Sequence, residues 1–403
     1  MPTRRAFIQN SAVAMFGIGA TPLWLERALG ATTTRKKIYV CILQRGAADG
    51  LNIVVPHGDK AYYEARPSIA VPRPGDGENA ALDLDGYFGL HPSLKPLLRL
   101  FNDKKLAIIE ATGSPDPTRS HFDAQDYMES GTPGLKSTRD GWLNRAIAGT
   151  PATSPVRAVS LGPTLARSLR GPVPAVALNS VKDFGVRDRM AGEDYMSRYA
   201  ASTDTQLRGT GKETFEAIRL LDSLRKTPYE PSNGALYPNG RLGQSLRQIA
   251  QMIKADVGLE VAFADLGGWD HHVNETPLLT NLLREFGQSL AAFTQDLGPL
   301  MDDVVLTTMS EFGRTARENG ARGTDHGHAN LMFAIGGPVA GGKVYGRWPG
   351  LEREQLYEGR DLAVTTDFRT VLSEVVSTHL GQQNLDRVFP GFTSRERIGF
   401  LKA

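Results

Sequence analysis

The chain is poor in cysteine: Cys41 is the single one among 403 residues. No intramolecular disulfide can form, so stability must come from the apolar core alone. An excess of either charge is missing too. Lysine and arginine number 46 against 44 aspartates and glutamates, a net charge of +2. That balance argues against a nucleic-acid surface, and the short basic cluster Arg35-Lys36-Lys37 reads as a solvated strand entry. Beyond residue 31 no apolar run is long enough to cross a bilayer. Histidine is scarce, with eight residues, so a cluster of histidines in a short tract is informative.

The beginning of the chain is a leader. Thr3-Arg4-Arg5-Ala6-Phe7-Ile8 sets paired arginines before a large apolar pair, and an Ala- and Gly-rich apolar stretch runs from Ala12 to Leu25. Gly30 and Ala31 then offer a cleavage point. This is the layout of a removable twin-arginine signal, over residues 1–31. The mature chain, 32–403, is expected in the periplasm or otherwise outside the cytoplasm, with the Tat translocase as its partner during export. Chains exported folded often acquire a metal beforehand.

Seven short apolar runs read as buried strands: Ile38–Leu43, Leu106–Ala111, Val156–Leu161, Val173–Leu178, Leu259–Ala264, Val304–Thr308 and Leu331–Ile335. They lack strict alternation, which suits strands covered on both faces. Helical spacing fills Leu90–Phe101, Leu242–Ile253 and Leu278–Phe293, and Thr366-Asp367 can cap a helix through Val375 to Leu380. Alternating strands and helices predict an α/β fold, a three-layer sandwich with a mostly parallel central sheet. Residues 182–239 are polar and helix-prone and read as a helical excursion or lid. Gly336-Gly337 and Gly341-Gly342 bracket a turn before Val344–Trp348, read as an edge hairpin.

Ligands of open α/β sheets bind beyond the carboxyl ends of the strands, and polar tracts stand there. Gln44–Asn52 contains Asp49, Asp265–His272 contains Asp270, His271 and His272, and Ser310–Thr315 contains Glu311 and Arg314. Gly323–His328 contains Asp325, His326 and His328. Half of the histidines lie in two of these tracts, beside carboxylates and glycines. Alone, Asp49-Gly50 is a turn signal. Together the tracts suit one or two divalent ions, zinc or manganese ahead of calcium. A further loop, Gly113–Ser120, leads into a helical stretch at Asp123–Glu129. Ser120 then stands at a helix start, as N-cap or as a nucleophile beside free backbone N–H groups. His121 can bind metal, orient a substrate or act as acid and base.

The mature chain resembles the exported bacterial family named domain of unknown function 1501. The resemblance is carried by Arg119-Ser-His-Phe122, Gly267-Gly-Trp-Asp-His-His272, Ser310-Glu-Phe-Gly-Arg-Thr315 and Gly323-Thr-Asp-His-Gly327. That family looks like a distant branch of the alkaline phosphatase and sulfatase superfamily. The resemblance implies an alkaline-phosphatase-like fold and metal-dependent hydrolysis of a small anionic phosphate or sulfate ester. It implies Asp49, Asp270, His272, Glu311 and His326 as metal ligands, with His272 preferred to His271 and His328 competing with His326. Ser120 matches the nucleophile, and Arg314 or Arg119 would clamp the anion. The superfamily's Asp-His pair reads Glu311-Phe312 here, and phenylalanine cannot ligate, so the site would hold a single metal or recruit His121 or Asp325 instead. The same departure fits a non-catalytic binding or assembly protein of the cell envelope.

Overall fold

The computed structural model describes residues 37–75, 77–150, 154–181, 216–226 and 228–402. The leader and residues 182–215 of the expected excursion lie outside the described residues. The main sheet has nine described strands. In chain order these are β1 (Ile38–Arg45), β2 (Leu106–Gly113), β3 (Ala158–Leu161), β4 (Val176–Leu178), β5 (Val261–Gly267), β6 (Val304–Ser310), β7 (Asn330–Gly336), β8 (Lys343–Tyr345) and β9 (Thr366–Asp367). Their spatial order is β8-β2-β7-β6-β1-β5-β3-β4, with β9 also beside β2. Every pairing is parallel except the two made by β7. The fold is therefore α/β with a mostly parallel central sheet.

Strands covered on both faces need apolar side chains on both faces, and β1 shows it. Ile38, Val40 and Ile42 enter one core while Tyr39, Cys41 and Leu43 enter the other. On the first face lie α1 (Lys95–Asn102), α4 (Arg241–Lys254) and α5 (Glu275–Leu297), contributing Leu97, Leu246 and Phe286. On the second lie α3 (Trp142–Ala146) and α6 (Phe368–Glu374), contributing Trp142, Phe368 and Leu372. Two cores flanking one sheet make three layers. The helix α2 (His121–Ser130) closes with Gly131 in the left-handed region. Asp367 caps α6 by accepting from the Arg369 N–H at 2.8 Å, as the sequence predicts.

The expected edge hairpin is an edge strand instead. Lys343–Tyr345 runs parallel to Leu106–Gly113 rather than antiparallel to the strand preceding it. The glycines serve that crossover: a Cβ on Gly341 would sit 2.5 Å from the Leu106 carbonyl oxygen.

Register sets the carboxyl ends of three neighbouring strands side by side. Gln44 pairs with Ser310 and Arg45 with Gly267. The chain segments leaving β1, β5 and β6 thus emerge together. Gly46, at φ +118°, lets the first touch the second; a Cβ there would lie 2.8 Å from the Asp270 nitrogen.

Beneath these loops sits a buried ionic group, and it includes Asp49. The Arg66 guanidinium donates to both Asp49 oxygens, at 2.5 and 2.9 Å. It also donates to Asn52 Oδ1 at 2.8 Å and to the carbonyls of Thr315 and Ala316 at 2.9 Å. Asp49, expected as a metal ligand, is committed to this pair instead. Nothing in the Asp-Gly tract points to Arg66, which is separated from it in sequence and has no histidine or glycine signature. Glu275, the first residue of α5, is fully buried beside Asp49 and accepts from the Thr324 hydroxyl at 2.8 Å. Burial first, then the Asp49 charge, push its carboxyl well above the ordinary glutamate range. Burial works against Asp49 ionisation, but Arg66 holds that carboxylate below its usual value. The buried pair thus favours an ionised Asp49 beside a protonated Glu275.

A raised carboxyl pKa supplies stability in full below the unfolded glutamate value and loses it as pH rises through the folded value. Thermal stability is expected to fall with rising pH above the ordinary glutamate range, by up to the order of 1 kcal/mol per pH unit. Glu275→Gln, whose amide is a permanent donor, should flatten that decline in a calorimetric pH series. Parallel curves for the two proteins would contradict the assignment.

Candidate metal centre

Four side chains from three chain segments meet above the sheet. His121 opens α2, Asp270 and His272 follow β5, and His326 lies in the tract before β7. Gly313 and Gly327 make the last placement work. The Gly327 N–H donates to the Gly313 carbonyl at 2.8 Å, and a Cβ on Gly327 would lie 2.3 Å from the Arg314 carbonyl carbon. The resulting Arg314–His326 bridge brings the late histidine tract onto the end of β6.

Each imidazole is held by Nδ1. His121 Nδ1 lies 2.8 Å from Glu311 Oε1, His272 Nδ1 lies 3.1 Å from Asp325 Oδ1, and His326 Nδ1 lies 2.9 Å from the Arg119 carbonyl oxygen. All three partners are acceptors, so each Nδ1 carries a hydrogen, assigned from the network, and in the neutral ring each Nε2 is left with a lone pair. The three Nε2 atoms turn on Asp270. His272 and His326 stand 2.9 and 3.2 Å from its Oδ1, and His121 stands 3.4 Å from its Oδ2. The His272 and His326 Nε2 atoms are 3.0 Å apart.

Neutral rings facing a carboxylate are unfavourable unless a cation or a proton stands among them. Arg314 meets part of that need, donating to Asp270 Oδ1 at 2.6 Å. His121 Nε2 is buried and has no hydrogen-bond partner. Imidazole nitrogens sharing one tetrahedral zinc lie roughly 3.3 Å apart, given Zn–N bonds of about 2.0–2.1 Å. The distances here fit a divalent ion held by His121, Asp270 and His326, with His272 beside them. Nitrogen-rich donors with one carboxylate suit zinc or manganese better than calcium.

Neighbouring groups tune these ligands. Burial opposes ionisation of Asp270, but the Arg314 hydrogen bond and charge hold its carboxyl below the usual aspartate range. The hydrogen bond to Glu311 raises the His121 pKa, and burial lowers that of His326. Phe312 is a packing platform. Its ring centroid lies 5.1 Å from those of both His121 and His326.

Several residues expected as metal ligands stand behind the cluster and orient its histidines. Glu311 is buried, and its Oε1 accepts from Gly46 N–H at 2.8 Å and Gln125 Nε2 at 2.9 Å besides facing His121. Burial works against its ionisation, and these hydrogen bonds lower its pKa regardless. Asp325 orients His272. His328 is turned away, with Nε2 at 3.1 Å from the Ser114 carbonyl and its ring 4.4 Å from that of Tyr357. His271 is buried outside the cluster.

The expected anion clamps are engaged by protein. Arg314 is buried and donates to the carbonyls of Ala47, Gly46, Trp269 and Thr324, as well as to Asp270. Arg119 pairs with Glu358 at 2.8 Å and Asp361 at 2.6 Å. Ser120 is the N-cap residue of α2, but its hydroxyl makes no capping bond and it is exposed.

Asp270→Asn and His326→Ala are expected to abolish stoichiometric divalent-ion binding in equilibrium dialysis with elemental analysis. His328→Ala, and Asp49→Asn where circular dichroism shows it folded, should retain it. The opposite pattern would move the metal to the Asp49 pocket.

Comparison with solved structures finds several similar chains. One is the lipoteichoic acid synthase of Listeria monocytogenes, at 8% identity and TM-score 0.34, covering 75% of this chain and 65% of that one. A protein of the alkaline phosphatase superfamily from Vibrio parahaemolyticus matches at 9% identity and TM-score 0.33, covering 76% and 61%. The phosphonate monoester hydrolase of Agrobacterium radiobacter matches at 8% identity and TM-score 0.36, covering 90% and 79%. The chain spans less than two thirds of the length of the first two. Comparison with curated proteins finds no match. One family model, described as a protein of unknown function (DUF1501), matches residues 104–384. That stretch is more than half of the chain and carries His121, Asp270, His272 and His326, and the chain belongs to the DUF1501 family.

Proposed function

We propose that the protein is an exported, metal-dependent hydrolase of phosphate or sulfate esters with Ser120 as its nucleophile. The observation that carries the reading is the convergence of three Nε2 atoms on Asp270, directly beside the helix start that bears Ser120. The two neighbours of Ser120 both belong to the cluster: the Arg119 carbonyl anchors His326, and His121 contributes Nε2.

A divalent ion bound there supplies Lewis-acid polarisation of the ester and a lower pKa for a nearby hydroxyl. The chain's own groups do the rest. The first intrahelical bond of α2 is made by Ala124 N–H, to the Ser120 carbonyl at 2.9 Å. The N–H groups of His121, Phe122 and Asp123 therefore lack intrahelical acceptors and favour an anion at the helix start. In the proposed reaction the Ser120 oxygen bonds to phosphorus or sulfur as the bond to the ester oxygen breaks, and the serine proton passes to the departing alcohol. Water then cleaves the serine ester, returning a proton to Ser120 and releasing the phosphate or sulfate product.

A second reading, a non-catalytic envelope binding or assembly protein, is favoured by one observation. Both guanidinium groups expected to clamp an anion are engaged by protein acceptors. The two readings separate in a screen with aryl phosphate, aryl phosphodiester and aryl sulfate, with zinc or manganese added. Hydrolysis is expected, with a loss of about 10³-fold or more in Ser120→Ala. Turnover that survives the substitution would remove the nucleophile. Stoichiometric metal without turnover of any of the three esters would favour the binding protein.

Export rests on the leader. Among the described residues no helix is long and apolar enough to cross a membrane. Replacing Arg4 and Arg5 by lysine is expected to retain the chain in the cytoplasmic fraction. Unchanged recovery from the periplasm would contradict the twin-arginine assignment.

A further inference from the structure

Gln125 is neither a ligand of the ion nor a group that acts on the ester, yet it stands at a junction. It lies one helical turn beyond His121, on the same face of α2. Its Nε2 donates to Glu311 Oε1 at 2.9 Å, the oxygen that faces His121 Nδ1. Its own Oε1 accepts from Arg45 Nη1 at 2.8 Å. Arg45 is anchored in turn, donating through Nε to Asp265 Oδ2 at 2.8 Å and through Nη2 to Glu129 Oε1 at 2.9 Å.

This chain of contacts has one workable polarity. A flipped Gln125 amide would set its oxygen against the Glu311 carboxylate and its NH₂ against a guanidinium, losing both bonds. Arg45 thus dictates which end of the amide meets Glu311. Gly46 N–H, Gln125 and His121 then converge on a single Glu311 oxygen from three directions. The carboxylate cannot swing, and the His121 ring is held with Nε2 aimed at Asp270.

We propose that Gln125 is a positioning residue for the metal centre, acting through Glu311 on His121, with Arg45 fixing the direction of its amide. The proposal rests on the reading that the cluster binds a divalent ion. Outer partners of ligating histidines fix ring orientation, and their loss typically weakens metal binding 10–100-fold.

The test variant is Gln125→Leu, which keeps the volume and the helix and removes both hydrogen bonds. Two readouts are used on the full mature chain. The first is titration with Zn²⁺ and Co²⁺ by calorimetry, where a loss of about 10–100-fold in affinity is expected with little change in the melting temperature of the ion-free protein. The second is the ¹⁵N spectrum of His121 in ion-free protein at alkaline pH, where the ring is neutral. The wild type should hold the Nδ1–H tautomer, and the variant should populate both. Arg45→Met combined with Gln125→Leu should lose no more affinity than Gln125→Leu alone, because links in series are not additive. Additive losses would contradict the role given to Arg45. Equal affinity and an unchanged tautomer in Gln125→Leu would overturn the proposal while leaving the metal centre standing. A wild type that binds neither ion would overturn the metal reading, and the tautomer comparison would still decide whether Gln125 positions His121.

Discussion

Three imidazoles, each with its Nδ1 hydrogen turned outward, present Nε2 to one carboxylate, and that convergence organises this end of the molecule. Left to themselves, such groups separate or take up protons. Here they are prevented from separating. Glu311, Asp325 and the Arg119 carbonyl each grip the far nitrogen of one ring. Phe312 packs against two of the rings, and Arg314 ties Asp270 to four backbone carbonyls. A centre so restrained is preorganised for a cation, because the cost of bringing the ligands together is already met by folding.

The fold supplies the restraint through register. Three adjacent parallel strands, β5, β1 and β6, end at the same level, so short loops suffice to bring Asp270, Glu311 and Gly46 into contact. The antiparallel insertion of β7 returns the chain to that level with His326 just ahead of it. Below the loops, Arg66 binds Asp49, Asn52 and two carbonyls of the segment after β6, fastening the first loop to the third. Asp49 therefore serves the centre from beneath. It stabilises the loops that carry the cluster, with Glu275 packed into the same buried group.

Much of this is legible in the sequence, for physical reasons that differ by residue. Doubly covered strands announce themselves as continuous apolar runs, and all seven expected strands are present, shifted by a few residues at their ends. The two histidine tracts stand out because histidine is rare and clustered beside glycine, and Asp270, His272 and His326 do meet. Glu311 and Asp325 look like ligands in sequence because residue type does not distinguish a carboxylate that binds an ion from one that orients a histidine. Asp49 misleads for the same reason, since its partner Arg66 carries no recognisable spacing. The role of Gln125 is within reach of the sequence: it follows His121 by four positions, the interval that shares a helical face. The edge strand at Lys343–Tyr345 looks like a hairpin because glycine pairs mark a change of direction without saying which strand the chain will join.

The central claim is that His121, His272, His326 and Asp270 enclose a single divalent ion. X-ray absorption on the cobalt- or zinc-loaded protein tests it most directly. Imidazole scattering from two to three rings is expected, with one carboxylate in the same shell, all lost together in His326→Ala. A shell made of carboxylate and water oxygens, unchanged by that substitution, would contradict it.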